Sequence, residues 1–120
     1  MAKLGIKRIY EPAHPGDGCR VLVDRLWPRG LTREASAIDH WFKEIGPSND
    51  LRTWFGHRPE RWAEFSRRYR AELAAELAAP LVRQLVVLAG KGSLTLLYSA
   101  RDEAHNQAVV LAKVIRAKLQ

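Results

Sequence analysis

Ser93-Leu94-Thr95-Leu96-Leu97-Tyr98 is the stretch on which the fold turns. Leu94, Leu96 and Leu97 surround a single Thr without strict polar–apolar alternation, the pattern of a short strand covered on both faces. Ser99 ends it, and from Asp102 onward Ala104, Ala108, Leu111, Ile115 and Leu119 line one side of a last helix. Upstream, Cys19 to Leu26 reads as a second strand, ended by Pro28 and Gly30. Leu4 to Tyr10 reads as another, and Ile38 to Ile45, stopped by Gly46-Pro47, as an edge strand. Two strand-to-helix joints in so short a chain predict an α/β fold. We expect residues 1–120 to form one single-domain layered sandwich, with a small mixed or mostly parallel sheet of about four strands flanked by helices. The loop Glu11 to Gly18 is short for a parallel crossover, so a hairpin between the first two strands is expected.

The helices announce themselves by caps and stripes. Thr32 caps one turn, and Ser48 caps a short helix through Phe55. Arg58-Pro59 opens a longer helix in which Trp62, Phe65, Tyr69, Leu73 and Leu77 form a buried stripe. Pro80 separates it from a well-buried helix, Leu81 to Ala89, which Gly90 terminates.

Composition bounds the function. At 47% apolar and 28% charged, the chain is an ordinary globular one. Its longest apolar runs, Leu85 to Ala89 among them, are far below the roughly 20 residues that cross a bilayer. The first twenty residues show no apolar block with a cleavage site, so no membrane association and a cytoplasmic location are expected. A single Cys19 leaves no internal disulfide and no thiolate-rich metal site. The net charge of +7 raises nucleic acid as a partner. Distribution tempers that reading. Residues 1–33 and 79–120 each carry +4, while 34–57 carry −2 and 58–78 carry +1, so no single helix or arm concentrates the charge. A focused pocket for a small anion fits at least as well.

The two +4 segments hold the two chemical constellations. Asp24-Arg25-Leu26-Trp27-Pro28-Arg29-Gly30 puts an acid, two cations and an indole at a strand's carboxyl end, where open α/β sheets bind ligands. Ser99-Ala100-Arg101-Asp102-Glu103-Ala104-His105-Asn106 follows the other strand and opens a helix, whose free amides favour an anion. Simpler explanations stand beside both. Ser99 and Asp102 match a capping box, and Asp24 can pair with Arg25 or Arg101. A third feature, Trp54-Phe55-Gly56-His57, can floor a pocket, although packing alone explains Trp54 and Phe55. His57 is loop-placed and of a type that titrates near neutrality.

Other chemistry lacks its motifs. The chain has no GxSxG elbow, no P-loop, no GxGxxG and no HExxH, and His14, His40, His57 and His105 have no paired spacing, so no metal is expected.

Taken together, Val21 to Gly30, Leu51 to His57 with Trp54-Phe55-Gly56-His57, and Leu96 to Leu111 with Ser99, Asp102, His105 and Asn106 resemble the YeaO-like branch of the domain-of-unknown-function 488 family. The resemblance runs nearly the full chain. It implies a compact α/β protein in which an Asp-Arg strand end and a later polar helix start make one site. The broader family often carries a Cys-His-Arg run near the last helix. Here Glu103-Ala104-His105-Asn106 stands there without the Cys, which puts a thiol-based role in doubt. Arg101 keeps a cation where close relatives are expected to carry Lys.

The expected function is binding of an anionic small molecule, a nucleotide or phosphorylated metabolite. Arg25, Arg29 and Arg101 would hold its charge with help from the amides after Ser99, and Trp27 or Trp54 would cover its apolar part. Asp102 and Asn106 complete the binding set, and Asp24, His105 and His57 are the acid–base candidates should chemistry occur. A basic nucleic-acid module and a docking module built on the Trp-rich loops are the alternatives.

Overall fold

The computed structural model describes residues 3–119. Four strands, β1 (Leu4–Arg8), β2 (Cys19–Leu22), β3 (His40–Trp41) and β4 (Leu94–Tyr98), form one sheet in the order β1-β4-β2-β3. Every neighbouring pair is parallel, with Arg8 opposite Tyr98 and Leu22 opposite both Leu97 and Trp41. Five helices complete the α/β sandwich: α1 (Arg33–Ser36), α2 (Asn49–Phe55), α3 (Trp62–Ala74), α4 (Ala79–Lys91) and α5 (Gln107–Leu119).

The expected hairpin between the first two strands is corrected: β4 lies between them and both run the same way. The crossover rule assumed that a helix must pack on the way back. Here the chain from Ile9 to Gly18 only has to return along a five-residue strand, and ten extended residues reach about 33 Å. A 3₁₀ turn at Pro15–Asp17 makes the bend.

β4 is buried along its whole length, which is why it lacks alternation. Leu94, Leu96 and Tyr98 face the large core shared with Val21, Val23 and helices α2 to α5. Leu97 turns the other way with Leu22 and Ile9, under Trp27, Leu31, Ile38 and Trp41. The two layers are therefore unequal. One face carries the longer helices, and the other is roofed by the connection from Trp27 to Trp41 with its one-turn α1.

Several boundaries move for local reasons. β1 stops at Arg8 and β2 at Leu22, although Val23 N–H still reaches the Leu97 carbonyl at 3.0 Å. The edge strand shrinks to His40–Trp41 because Lys43–Ile45 tightens into a 3₁₀ turn. Phe65, Tyr69 and Leu73 are buried as expected, but Leu77 is 83% exposed. Its helix ends at Ala74, and the extended Ala75 carries the chain out of register. Pro80 sits in the first turn of α4 instead of before it, where its missing N–H costs nothing, and the helix runs through Gly90 to Lys91. Among the described residues no single helix is long and apolar enough to cross a membrane.

Ser48 caps α2, accepting from Leu51 N–H at 3.2 Å, while its own hydroxyl and N–H donate to the Glu72 carboxylate at 2.5 and 2.8 Å. The cap thus also ties α2 to α3. Ser48→Ala removes both bonds made by the hydroxyl, and thermal denaturation should show a loss of about 1–2 kcal/mol.

Candidate functional site

Parallel order brings the ends of β1, β4 and β2 to one edge, and the two constellations meet there. Asp24, two residues past β2 and 8% exposed, accepts from Ser99 N–H at 3.0 Å and Ser99 Oγ at 2.5 Å through one carboxylate oxygen. Its other oxygen accepts from the Gln107 side-chain amide at the start of α5. Burial pushes the Asp24 carboxyl above its ordinary value of 3.8, against the opposing pull of the Ser99 and Gln107 donors. Asp24 therefore joins β2, β4 and α5, and it pairs with neither Arg25 nor Arg101.

The helix start differs from the capping-box reading. Ser99 is engaged by Asp24, and α5 begins at Gln107, later than Asp102. Asn106, 2% exposed, takes the capping role: its Oδ1 accepts from Val109 N–H at 3.2 Å, and its Nδ2 donates to the Asp102 carbonyl at 2.9 Å. Asp102 folds the turn before the helix, accepting from the N–H groups of Ala104 and His105 at 2.9 and 3.0 Å. Its second oxygen meets His105 Nδ1 at 2.9 Å, and that contact, with the Ala104 N–H, holds the Asp102 carboxyl below its ordinary value. The His105 ring stands edge-on to Trp62, centroids 5.2 Å apart.

A cleft of about 1060 Å³ opens above this edge. Arg8, Arg25, Arg29, Arg52 and Arg101 line it, with Asp24 and Asp102 as the acids. Among the described residues the ion pairs are Lys7 and Arg20 with Asp17, Arg67 and Arg68 with Glu64, and His105 with Asp102. None involves a cleft arginine. Two of the five are partly committed to the backbone. Arg8 clasps the Ala100 and Ser99 carbonyls at 2.9 and 3.0 Å, and Arg25 clasps those of Pro47 and Gly46 at 2.8 Å each. Gly46 is needed there, because a Cβ at that position would stand 2.8 Å from the Arg25 backbone nitrogen. Arg29, Arg52 and Arg101 are exposed.

Trp27 lines the cleft, donating Nε1–H to the Leu31 carbonyl at 2.6 Å and meeting Trp41 edge to face at 5.2 Å. Trp54 lies outside it. Its ring is covered instead by Arg61 and Arg68, at 5.0 and 4.4 Å from the centroid, and packing is its role. Phe55 takes the inner position on α2, and His57 stands at the rim.

Among the described residues two non-glycine residues are left-handed, Ala37 at φ 51° and His57 at φ 57°, and of the two only His57 lines the cleft. Gly56 closes α2 in the left-handed conformation at φ 53°, the usual cap, and His57 repeats it at φ 57°. A second left-handed residue with a Cβ costs about 1–2 kcal/mol. Several cleft residues were not expected from the sequence, among them Arg52 on α2 and Gln107 at the start of α5. Tyr10 and Leu26 flank charged neighbours on loops, and Arg8 comes to the edge only because β1 is parallel to β4. The Arg8 guanidinium lies over the Tyr10 ring at 5.1 Å, and the Tyr10 hydroxyl donates to the Arg29 carbonyl at 2.9 Å. Among the described residues no group of three or more His, Cys, Asp or Glu side chains converges to hold a metal ion.

Fold and site define a class: a small parallel α/β domain whose strand ends open into a cleft lined by arginine. The chain belongs to the DUF488 family, and the family model described as "Inactive DUF488-N3 subclade" matches residues 3–120. It is similar to the uncharacterized protein YeaO of Escherichia coli strain K12, 46% identical over 111 residues, which are 92% of this chain and 95% of the relative. The uncharacterized protein Rv3073c of Mycobacterium tuberculosis is 37% identical over 116 residues, 97% of this chain and 96% of the relative. The uncharacterized protein Mb3100c of Mycobacterium bovis matches with the same figures. No solved structure matches the chain.

Proposed function

We propose that this protein binds an anionic small molecule, a nucleotide or a phosphorylated metabolite, in the cleft at the strand ends, and binds it without turnover. The observation that carries the reading is the set of five cleft arginines with no carboxylate partner among the described residues. Like charges held together oppose folding, and an anion relieves that repulsion while gaining charge-assisted hydrogen bonds. Two points favour binding over catalysis. Both Asp24 oxygens are occupied by the fold's own donors, and the matching subclade is described as inactive. The single Cys19 and the absence of a disulfide framework support a cytoplasmic setting, and the relatives named above are bacterial.

A thermal-shift series with inorganic phosphate, ribose 5-phosphate and adenosine 5′-monophosphate tests this. A ligand at one hundred times its Kd adds about 2.7 kcal/mol, or roughly 10 °C in Tm for a chain of this length. Saturable stabilisation by at least one of them is the expected result. No shift with any, alongside oligonucleotide binding that falls steeply with salt, would replace the reading with the nucleic-acid one.

A further inference from the structure

We infer that the anion taken by the cleft carries a flat ring, and that His57 is the residue that recognises the ring. The inference rests on the anion-binding reading above and goes one step further, to the chemical class of the ligand. A cleft of about 1060 Å³ is at or above the size that encloses a whole drug-like molecule, about 300–1000 Å³. A phosphate group alone leaves most of it empty. A ligand larger than phosphate would also meet the uncharged parts of the wall, Tyr10, Trp27 and Phe55 among them.

His57 is placed for that contact. It is exposed on the cleft rim, and its ring lies 6.5 Å from Phe55, tilted by 54°. Phe55 in turn stacks on Phe65 at 4.4 Å, so the imidazole stands at the open end of a row of rings. Among the described residues, histidine side chains form hydrogen bonds at His14 and His105, and none at His57. The fold nevertheless holds His57 in a left-handed conformation that Gly would adopt at less cost. A left-handed backbone, a ring with no hydrogen-bond partner among the described residues and a place at the mouth of a charged cleft are together explained by contact with a ligand ring. A mononucleotide has both the phosphate for the arginines and the ring for His57.

The test compares adenosine 5′-monophosphate with ribose 5-phosphate on the full chain by calorimetry, in the unsubstituted protein and in His57→Gly and His57→Asn. Both variants keep the left-handed backbone and remove the imidazole. The nucleotide should bind the unsubstituted protein about 3–10-fold more tightly, the range a stacked aromatic contact supplies. In both variants that preference should vanish while ribose 5-phosphate affinity holds. The ligand-free Tm of His57→Gly should be equal or higher. Equal affinity for the two phosphates in the unsubstituted protein overturns the inference, as does a preference that survives in both variants. If neither phosphate binds, the anion reading itself has failed and this one falls with it.

Discussion

Asp24→Ala should lower stability by about 2–4 kcal/mol, the largest loss expected from any single change at the site. The carboxylate is buried and accepts three hydrogen bonds that hold the ends of β2 and β4 and the start of α5. Alanine removes all the acceptors at once and leaves the Ser99 N–H, the Ser99 hydroxyl and the Gln107 amide to find water at a half-buried edge. Denaturant titration of the two proteins measures the difference. A Tm within 2 °C of the parent, where roughly 10 °C is expected, would show that the three bonds contribute little. Asp24→Asn adds a check with a definite sign. Burial raises the Asp24 pKa, so its proton-linked contribution is complete below its ordinary value of 3.8 and is lost as pH rises through the raised value. Asparagine does not titrate. The stability gap between parent and Asp24→Asn should therefore be widest in acid and narrow as pH climbs above about 4.

Arg29→Ala combined with Arg101→Ala should weaken anion binding by about 10–100-fold and leave the ligand-free protein unchanged in Tm within 1–2 °C. Both guanidinium groups are exposed, line the cleft and make no hydrogen bond to the protein among the described residues. The one contact recorded at Arg29, from the Tyr10 hydroxyl, uses the backbone carbonyl and survives the change. Arg8 and Arg25 are poorer choices because each clasps two backbone carbonyls, so their removal mixes folding with binding. Calorimetry with whichever phosphate stabilises the parent reads the effect. An undiminished affinity in the double variant would move the anion out of this cleft.

What was readable in the residue string was local. The buried run of β4, the Ser48 cap and the Phe65–Tyr69–Leu73 stripe follow from spacing and side-chain type within a few positions. Each depends mainly on neighbours along the chain, and the stripe, expected from Trp62 to Leu77, lost Leu77 where the helix ends at Ala74. Placing Asp24 and Ser99 at one edge also needed no more than two parallel strands, and they touch. The capping reading of Ser99 and Asp102 went wrong because it weighed only local acceptors. A carboxylate from seventy-five positions away binds Ser99, and Asn106 caps the helix in its stead.

By itself, then, the sequence determined which segments are strands and helices, which faces are apolar, and that acid, arginine and aromatic side chains gather at two strand ends. Only the tertiary structure decided the strand order, and with it the arrival of Arg8 beside Ser99 and the exclusion of Trp54 from the cleft. The physical reason is that periodicity and caps are settled by contacts three or four residues apart. Pairing order is settled by which buried faces fit together across the whole chain, and short-range pattern carries no record of that.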